Sequence, residues 1–197
     1  MNVAIVKYNA GNIRSVINAL KRLGVDPLIT DDAMTLRSSD RVLFPGQGEA
    51  GSTMAYLREH HLDNLIPSLR QPVLGICVGM QLMCRHSEEN ATDCLGIFPT
   101  EVKRFHPLLH EQKVPQMGWN SIEALSSPLF RDIKDGEFVY FIHSYYVPVN
   151  DFSIATTDYI HPYCSALHKD NFYATQFHPE KSGRIGEQIL KNFLEIE

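Results

Sequence analysis

The stretch Pro72-Val73-Leu74-Gly75-Ile76-Cys77-Val78-Gly79-Met80-Gln81 decides the fold. It starts as a short apolar run of the kind that forms a strand buried on both faces, and it ends on residues suited to a helix. Between them stands Gly-x-Cys-x-Gly, the cysteine version of a nucleophile elbow, in which a sharp strand-to-helix turn presents one reactive side chain. Such a turn crowds the backbone, and Gly75 and Gly79 supply the minimal side chains that crowding demands. Cys77 is then expected at the N-terminus of the following helix, where free N–H groups and the helix dipole favour a thiolate. Free cysteine is also among the most buried residue types, so the competing reading is a small apolar side chain at a tight turn. A base elsewhere in the chain separates the two.

Outward from this segment, similar runs recur upstream at Val3 to Val6, Leu28 to Thr30 and Val42 to Phe44, and with Val73 to Ile76 they read as buried parallel strands. Between the first two, Ile13, Val16, Ile17, Leu20 and Leu23 fall at helical spacing, with Asn12 as N-cap and Gly24 as C-terminal stop. Further helices are predicted over Ser52 to His60 and just after Cys77, the latter carrying Met80 to Arg85. The pattern is α/β, doubly wound, with a largely parallel central sheet. From about Leu95 the texture changes. Strand-like segments at Gly96 to Phe105, Trp119 to Glu123, Phe138 to Val147, Ser153 to Thr157 and Phe172 to Phe177 predict an additional mixed or antiparallel portion. Gly183 to Leu194, with Ile185, Ile189, Leu190 and Phe193 on one face, predicts a closing helix. No repeat or linker interrupts the chain, and a single domain over 1–197 is expected.

Hydrophobic residues make up 44% and charged residues 21% of 197, ordinary globular usage without a bilayer-spanning run. The net charge of −5, with no Lys/Arg-rich run, argues against a nucleic-acid footprint. The opening Met1 to Lys7 lacks a secretory signal, which points to the cytoplasm. The four cysteines, 77, 84, 94 and 164, form no CxxC pair, and a framework of disulfides is not expected. No metal or cofactor is expected either. His60-His61 and His106 with His110 are short pairs without acidic or cysteine ligands at usual spacings.

The base comes from Phe172-Tyr173-Ala174-Thr175-Gln176-Phe177-His178-Pro179-Glu180. Pro179 biases His178 toward an extended conformation, and in extended chain residues two apart project to the same side, which lets Glu180 reach the imidazole. The carboxylate would fix the tautomer while His178 takes the thiol proton and later gives it to the leaving group. His143 and His161 are rival bases, but neither has a carboxylate two positions on. In Leu43-Phe44-Pro45-Gly46-Gln47-Gly48, the glycines allow backbone N–H groups to turn toward a ligand. Gly46, Gln47 and Gly48, with the Val78 N–H, are the candidate oxyanion hole.

Pro-Gly-x-Gly, Gly-Ile-Cys-x-Gly-Met-Gln and Gln-Phe-His-Pro-Glu, in that order, resemble the class I (triad) glutamine amidotransferases. The resemblance implies glutamine hydrolysis through a thioester at Cys77, with Gln81 and Glu89 binding the amino-acid end of glutamine and the backbone of Ser144 and Tyr145 at its rim. Gln81 also lies one helical turn beyond Cys77, which places it near the same pocket. Three further segments, Lys7 to Asn12 with Ser15-Val16, Pro115 to Asn120, and Tyr140 to Tyr146, resemble the glutaminase subunits of imidazole glycerol phosphate synthases, essentially end to end. That likeness implies a heterodimer with a (β/α)8-barrel cyclase that receives the ammonia, and Asn12, Trp119, Tyr140 and Lys181 on the face toward it. Val78 and Gln47 depart from the usual Leu and Val of the pattern. A paralogous subunit feeding another synthase would keep the same triad, and a catalytically silent regulatory module would keep the same fold.

Overall fold

The computed structural model describes residues 1–8, 13–46 and 48–196. In chain order the strands are β1 (Val3–Val6), β2 (Leu28–Thr30), β3 (Arg41–Gly46), β4 (Val73–Cys77), β5 (Cys84–Ser87), β6 (Thr92–Asp93), β7 (Phe98–Arg104), β8 (Gln116–Ile122), β9 (Glu137–His143), β10 (Tyr145–Tyr146), β11 (Ser153–Asp158), β12 (Pro162–Lys169) and β13 (Phe172–Thr175). The helices are α1 (Arg14–Arg22), α2 (Ala33–Ser38), α3 (Ala50–Glu59), α4 (Leu62–Leu65), α5 (Val78–Met83) and α6 (Gly183–Glu195).

Seven strands form the main sheet in the order β11-β12-β13-β4-β3-β1-β2. From β2 to β13 every pair is parallel, and β12 and β11 extend the sheet antiparallel. This is the largely parallel α/β sheet with an antiparallel portion that the sequence predicts. β1, β4 and β13 are buried along their whole length, which explains the unbroken apolar runs of the first two. The carboxyl ends of β3, β4 and β13 lie side by side, with Gly46 opposite Cys77 and Thr175 opposite Ile76. In open α/β sheets ligands bind outside such strand ends. A smaller sheet, β10-β7-β5-β6, and the hairpin β8-β9 flank the main sheet in the second half.

Gly24 does stop α1: it has φ +79 and donates to the Lys21 carbonyl. The expected N-cap, Asn12, lies outside the described residues. One of the expected helices is cut short. It ends at Met83 rather than Arg85, because every residue of α5 is buried and Cys84 instead enters a strand paired with β7. That change lets Arg85 reach the surface, where it pairs with Glu101 at 2.5 Å. β12 is a strand the sequence reading leaves unassigned. It opens on proline and buries Ser165 beside apolar residues, so neither strand alternation nor a clean apolar run marks it. Among the described residues, no helix is long and apolar enough to cross a membrane.

Candidate active site

Cys77 ends β4 and stands immediately before α5 with φ 55 and ψ −111. For a non-glycine residue this conformation costs on the order of 1–3 kcal/mol and persists only where the surroundings enforce it. They do so by close approach. A Cβ on Gly79 would run into the Phe44 carbonyl, one on Gly46 into the Val78–Gly79 backbone, and one on Gly75 would come within 2.9 Å of the Met83 sulfur. The glycines therefore let the end of β3 press directly onto the elbow. Cys77 is 5% exposed, with its Sγ 3.7 Å from the Ile142 carbonyl.

His178 follows β13 in an extended conformation, φ −100 and ψ 96, but Glu180 does not continue that extended chain as the sequence reading has it. Pro179–Lys181 form one 3-10 turn, with Pro179 at its start, and the turn carries the carboxylate back to the imidazole. His178 Nδ1 and Glu180 Oε1 are 2.7 Å apart, with both side chains almost wholly buried. Among the described residues, His178 Nε2 has no partner of hydrogen-bonding geometry, nor has Glu180 Oε2. Burial alone would drive the imidazole toward neutrality. The charge and polar contact of Cys77, then the hydrogen bond and charge of Glu180, outweigh it and raise the His178 pKa to about 10. At neutral pH His178 is thus an imidazolium beside the sulfur.

In front of Cys77 lies a cavity of about 250 Å³ lined by Gly48, Val78, Gln81, Glu89, Ser144 and Tyr145, among others. The volume falls below the roughly 300–1,000 Å³ common for small-molecule sites, which suits an amino acid. The four residues expected to bind substrate are therefore brought together on one cavity. Glu89 is held by the Ala50 N–H at 2.8 Å, and its pKa is raised chiefly by burial. Gly46 and Gly48 flank the candidate oxyanion loop, Gly48 at φ +116, while Gln47 lies outside the described residues. Among the described residues no group of three or more His, Cys, Asp and Glu side chains could hold a metal ion.

The rival base His143 lines the same cavity but is otherwise engaged: Nδ1 lies 2.7 Å from the Tyr145 carbonyl and Nε2 3.3 Å from the Tyr163 hydroxyl. Burial pushes its pKa down to about 4, so it stays neutral. His161 packs against Tyr146 and Phe105 instead. Sequence reasoning missed Gln176, fully buried with Nε2 3.7 Å from Cys77 Sγ, although it lies inside a quoted motif.

Trp119 and Tyr140 are cross-strand partners on β8 and β9, their rings 6.0 Å apart, and Lys181 Nζ lies 6.0 Å from the Tyr140 ring. Three of the four expected interface residues thus form one patch, and the fourth, Asn12, lies outside the described residues. The same hairpin exposes Met117 and Phe138, at 63% and 56%, which the sequence reading did not single out.

Comparison with known proteins gives the same frame. Residues 4–196 match the family model for glutamine amidotransferase class-I. An imidazole glycerol phosphate synthase subunit HisH of Bacteroides fragilis is 65% identical over 196 residues, covering both chains fully. The subunit of the same name from Escherichia coli is 43% identical over 198 residues, again with full coverage of both. Among solved structures, a glutamine amidotransferase superposes with a TM-score of 0.74 at 19% identity, covering 98% of each chain. Another, from Thermotoga maritima, gives 0.66 at 17% identity, covering 99% of this chain and 83% of its own. The last two speak for the fold alone. By sequence over its whole length, the chain belongs to the class-I glutamine amidotransferase family, and within it to the HisH subunits of imidazole glycerol phosphate synthase.

Proposed function

We propose that Cys77, His178 and Glu180 hydrolyse glutamine to glutamate and ammonia, and that the ammonia passes to a partner cyclase. The observation that carries this reading is the buried 2.7 Å contact between His178 and Glu180 behind a cysteine held at φ 55. The sulfur attacks the side-chain carboxamide carbon, and the oxygen gathers negative charge. The N–H of Val78 and one N–H of the Pro45–Gly48 loop receive that charge; losing one such donor costs about 10² to 10³ in rate. Collapse breaks the C–N bond as His178 gives its proton to the leaving ammonia. Water, deprotonated by the now neutral His178, then cleaves the thioester to glutamate and restores Cys77. Glu180 holds the imidazole by Nδ1, so that Nε2 does the proton transfers. Gln81 and Glu89 take the amino-acid end of glutamine, and Ser144 and Tyr145 form the rim.

The acceptor on this reading is a (β/α)8-barrel cyclase docked on the face that bears Trp119, Tyr140 and Lys181. It uses the ammonia to convert a ribulosyl-formimino aminoimidazole carboxamide nucleotide into imidazole glycerol phosphate and the aminoimidazole carboxamide ribotide. We place the pair in the cytoplasm and treat 1–197 as one glutaminase domain. In the complex, Cys77→Ala should abolish synthesis from glutamine while added ammonium still supports it. Glutamate release retained by that variant would refute the nucleophile.

A further inference from the structure

Gln176 stands one residue beyond β13 and two before His178, fully buried, with its backbone N–H given to the Ser165 carbonyl at 2.9 Å. Its side chain bridges two functional groups. Oε1 accepts from Gln81 Nε2 at 3.0 Å, and Nε2 lies 3.7 Å from Cys77 Sγ. The orientation of this amide follows from donor and acceptor matching. The Tyr145 carbonyl can only accept, and Gln81 meets it at 3.1 Å, so Gln81 presents its NH2 there. The same NH2 meets Gln176, which must therefore answer with its oxygen. A flipped Gln176 would set two NH2 groups against each other, and flipping both residues would set the Gln81 oxygen against the carbonyl. One backbone acceptor, two amides away, thus aims an N–H donor at the sulfur.

The sulfur needs such a donor in only one of its states. As a thiol it can donate to the Ile142 carbonyl, 3.7 Å away. As a thiolate it faces that carbonyl oxygen unfavourably, with little water to solvate it at 5% exposure, and a buried anion is stable only where donors meet it. We propose that Gln176 is a further catalytic residue, whose side-chain N–H holds the Cys77 sulfur in its ionised, attacking form. Its aim is set by Gln81, so the substrate ligand and the nucleophile share one hydrogen-bonded relay. The inference rests on the assignment of Cys77 as nucleophile.

The test is the pH dependence of Cys77 alkylation by iodoacetamide in the full chain. It is followed on the Cys77 peptide by mass spectrometry, which leaves Cys84, Cys94 and Cys164 out of the count. Gln176→Leu removes the donor. Gln176→Glu keeps the shape and the link to Gln81 but turns a carboxylate oxygen toward the sulfur. At pH 7 both variants should react about tenfold or more slowly, as expected for losing a hydrogen bond to a charged group. Their rates should rejoin the wild-type plateau at high pH, where the sulfur ionises regardless. Unchanged curves would overturn the proposal, and so would a loss that is the same at every pH, the mark of a merely structural role. Glutaminase activity surviving in Cys77→Ala would instead overturn the triad reading, and with it the catalytic claim for Gln176.

Discussion

His178 and His143 sit in one buried neighbourhood and titrate in opposite directions, and the difference lies in their partners. Burial depresses both. For His143 the Tyr145 carbonyl offsets it weakly and a neighbouring imidazolium adds to it, and the pKa falls to about 4. His178 has the sulfur of Cys77 and the Glu180 carboxylate, and rises to about 10. Paired environments of this kind are how a site separates its acid from its neutral groups. The sequence reading cast His178 first as the base that removes the thiol proton. With the imidazole already protonated at neutral pH, its first task in the proposed mechanism is to deliver a proton to the leaving ammonia. The sign for stability follows from a raised folded-state value. The contribution is complete below the unfolded pKa of about 6.5 and is lost as pH rises through about 10. Glutamine hydrolysis should accordingly hold from neutral pH and decline as pH passes about 10. Glu180→Gln, which removes a charge that supports the imidazolium, should move that alkaline limb to lower pH. A pH profile of kcat with the partner present measures it, and a limb that stays in place would remove Glu180 from this role.

The elbow is a property of two elements meeting rather than of one turn. β3 and α5 touch at Phe44, Gly46, Val78 and Gly79, with no space for a Cβ, so the strained backbone of Cys77 is clamped from the neighbouring strand. Gly79→Ala should therefore cost about 3 kcal/mol, because the added carbon meets backbone that cannot swing aside. Gly24→Ala, at φ +79 in open space, should cost only about 1 kcal/mol, the local price of a left-handed alanine. Urea midpoints of the two variants test the contrast, and equal losses would mean the contact at Gly79 relaxes freely. The elbow was legible in the sequence because its glycines, apolar strand and cysteine are contiguous. So was the pairing of His178 with Glu180, although the turn that makes it was not: Pro179 signals an extended residue before it and equally the first position of a helical turn. The early end of α5 was illegible because Cys84 and Arg85 suit a helix, and only the long-range pairing with Phe98 draws them into β5. Gln176 was hidden for a similar reason. Its partners, Cys77 and Gln81, lie 99 and 95 positions away, and local pattern carries nothing over that distance.

Across the whole molecule, the β8-β9 hairpin connects the outside to the chemistry. One face exposes Met117, Trp119 and Phe138, a cluster of large apolar side chains on the proposed docking surface. The edge of β9 away from β8 reaches the site through backbone. Ile142 sets its carbonyl against Cys77 Sγ, and the Tyr140 carbonyl accepts from the His178 N–H at 2.9 Å. Ser182 closes the link: its hydroxyl donates to the His178 carbonyl at 2.6 Å and accepts from the Tyr140 N–H at 2.9 Å. On the proposed docking, a partner pressing on Tyr140 would bear on His178 without touching it. Docking and activation should then separate by mutation. Trp119→Ala truncates a side chain that is 54% exposed, so folding stability should change little, while affinity for the cyclase should fall by about 2 kcal/mol, roughly thirtyfold, as for a central aromatic anchor. Ser182→Ala leaves the docking face intact but cuts the hydroxyl link between Tyr140 and His178. Cyclase affinity should be preserved there, while the acceleration of glutamate release on adding the partner shrinks. Titration calorimetry and a glutaminase assay read the two quantities separately. If Ser182→Ala weakened binding as much as it weakened acceleration, or altered neither, β9 would not be the connection between the two faces.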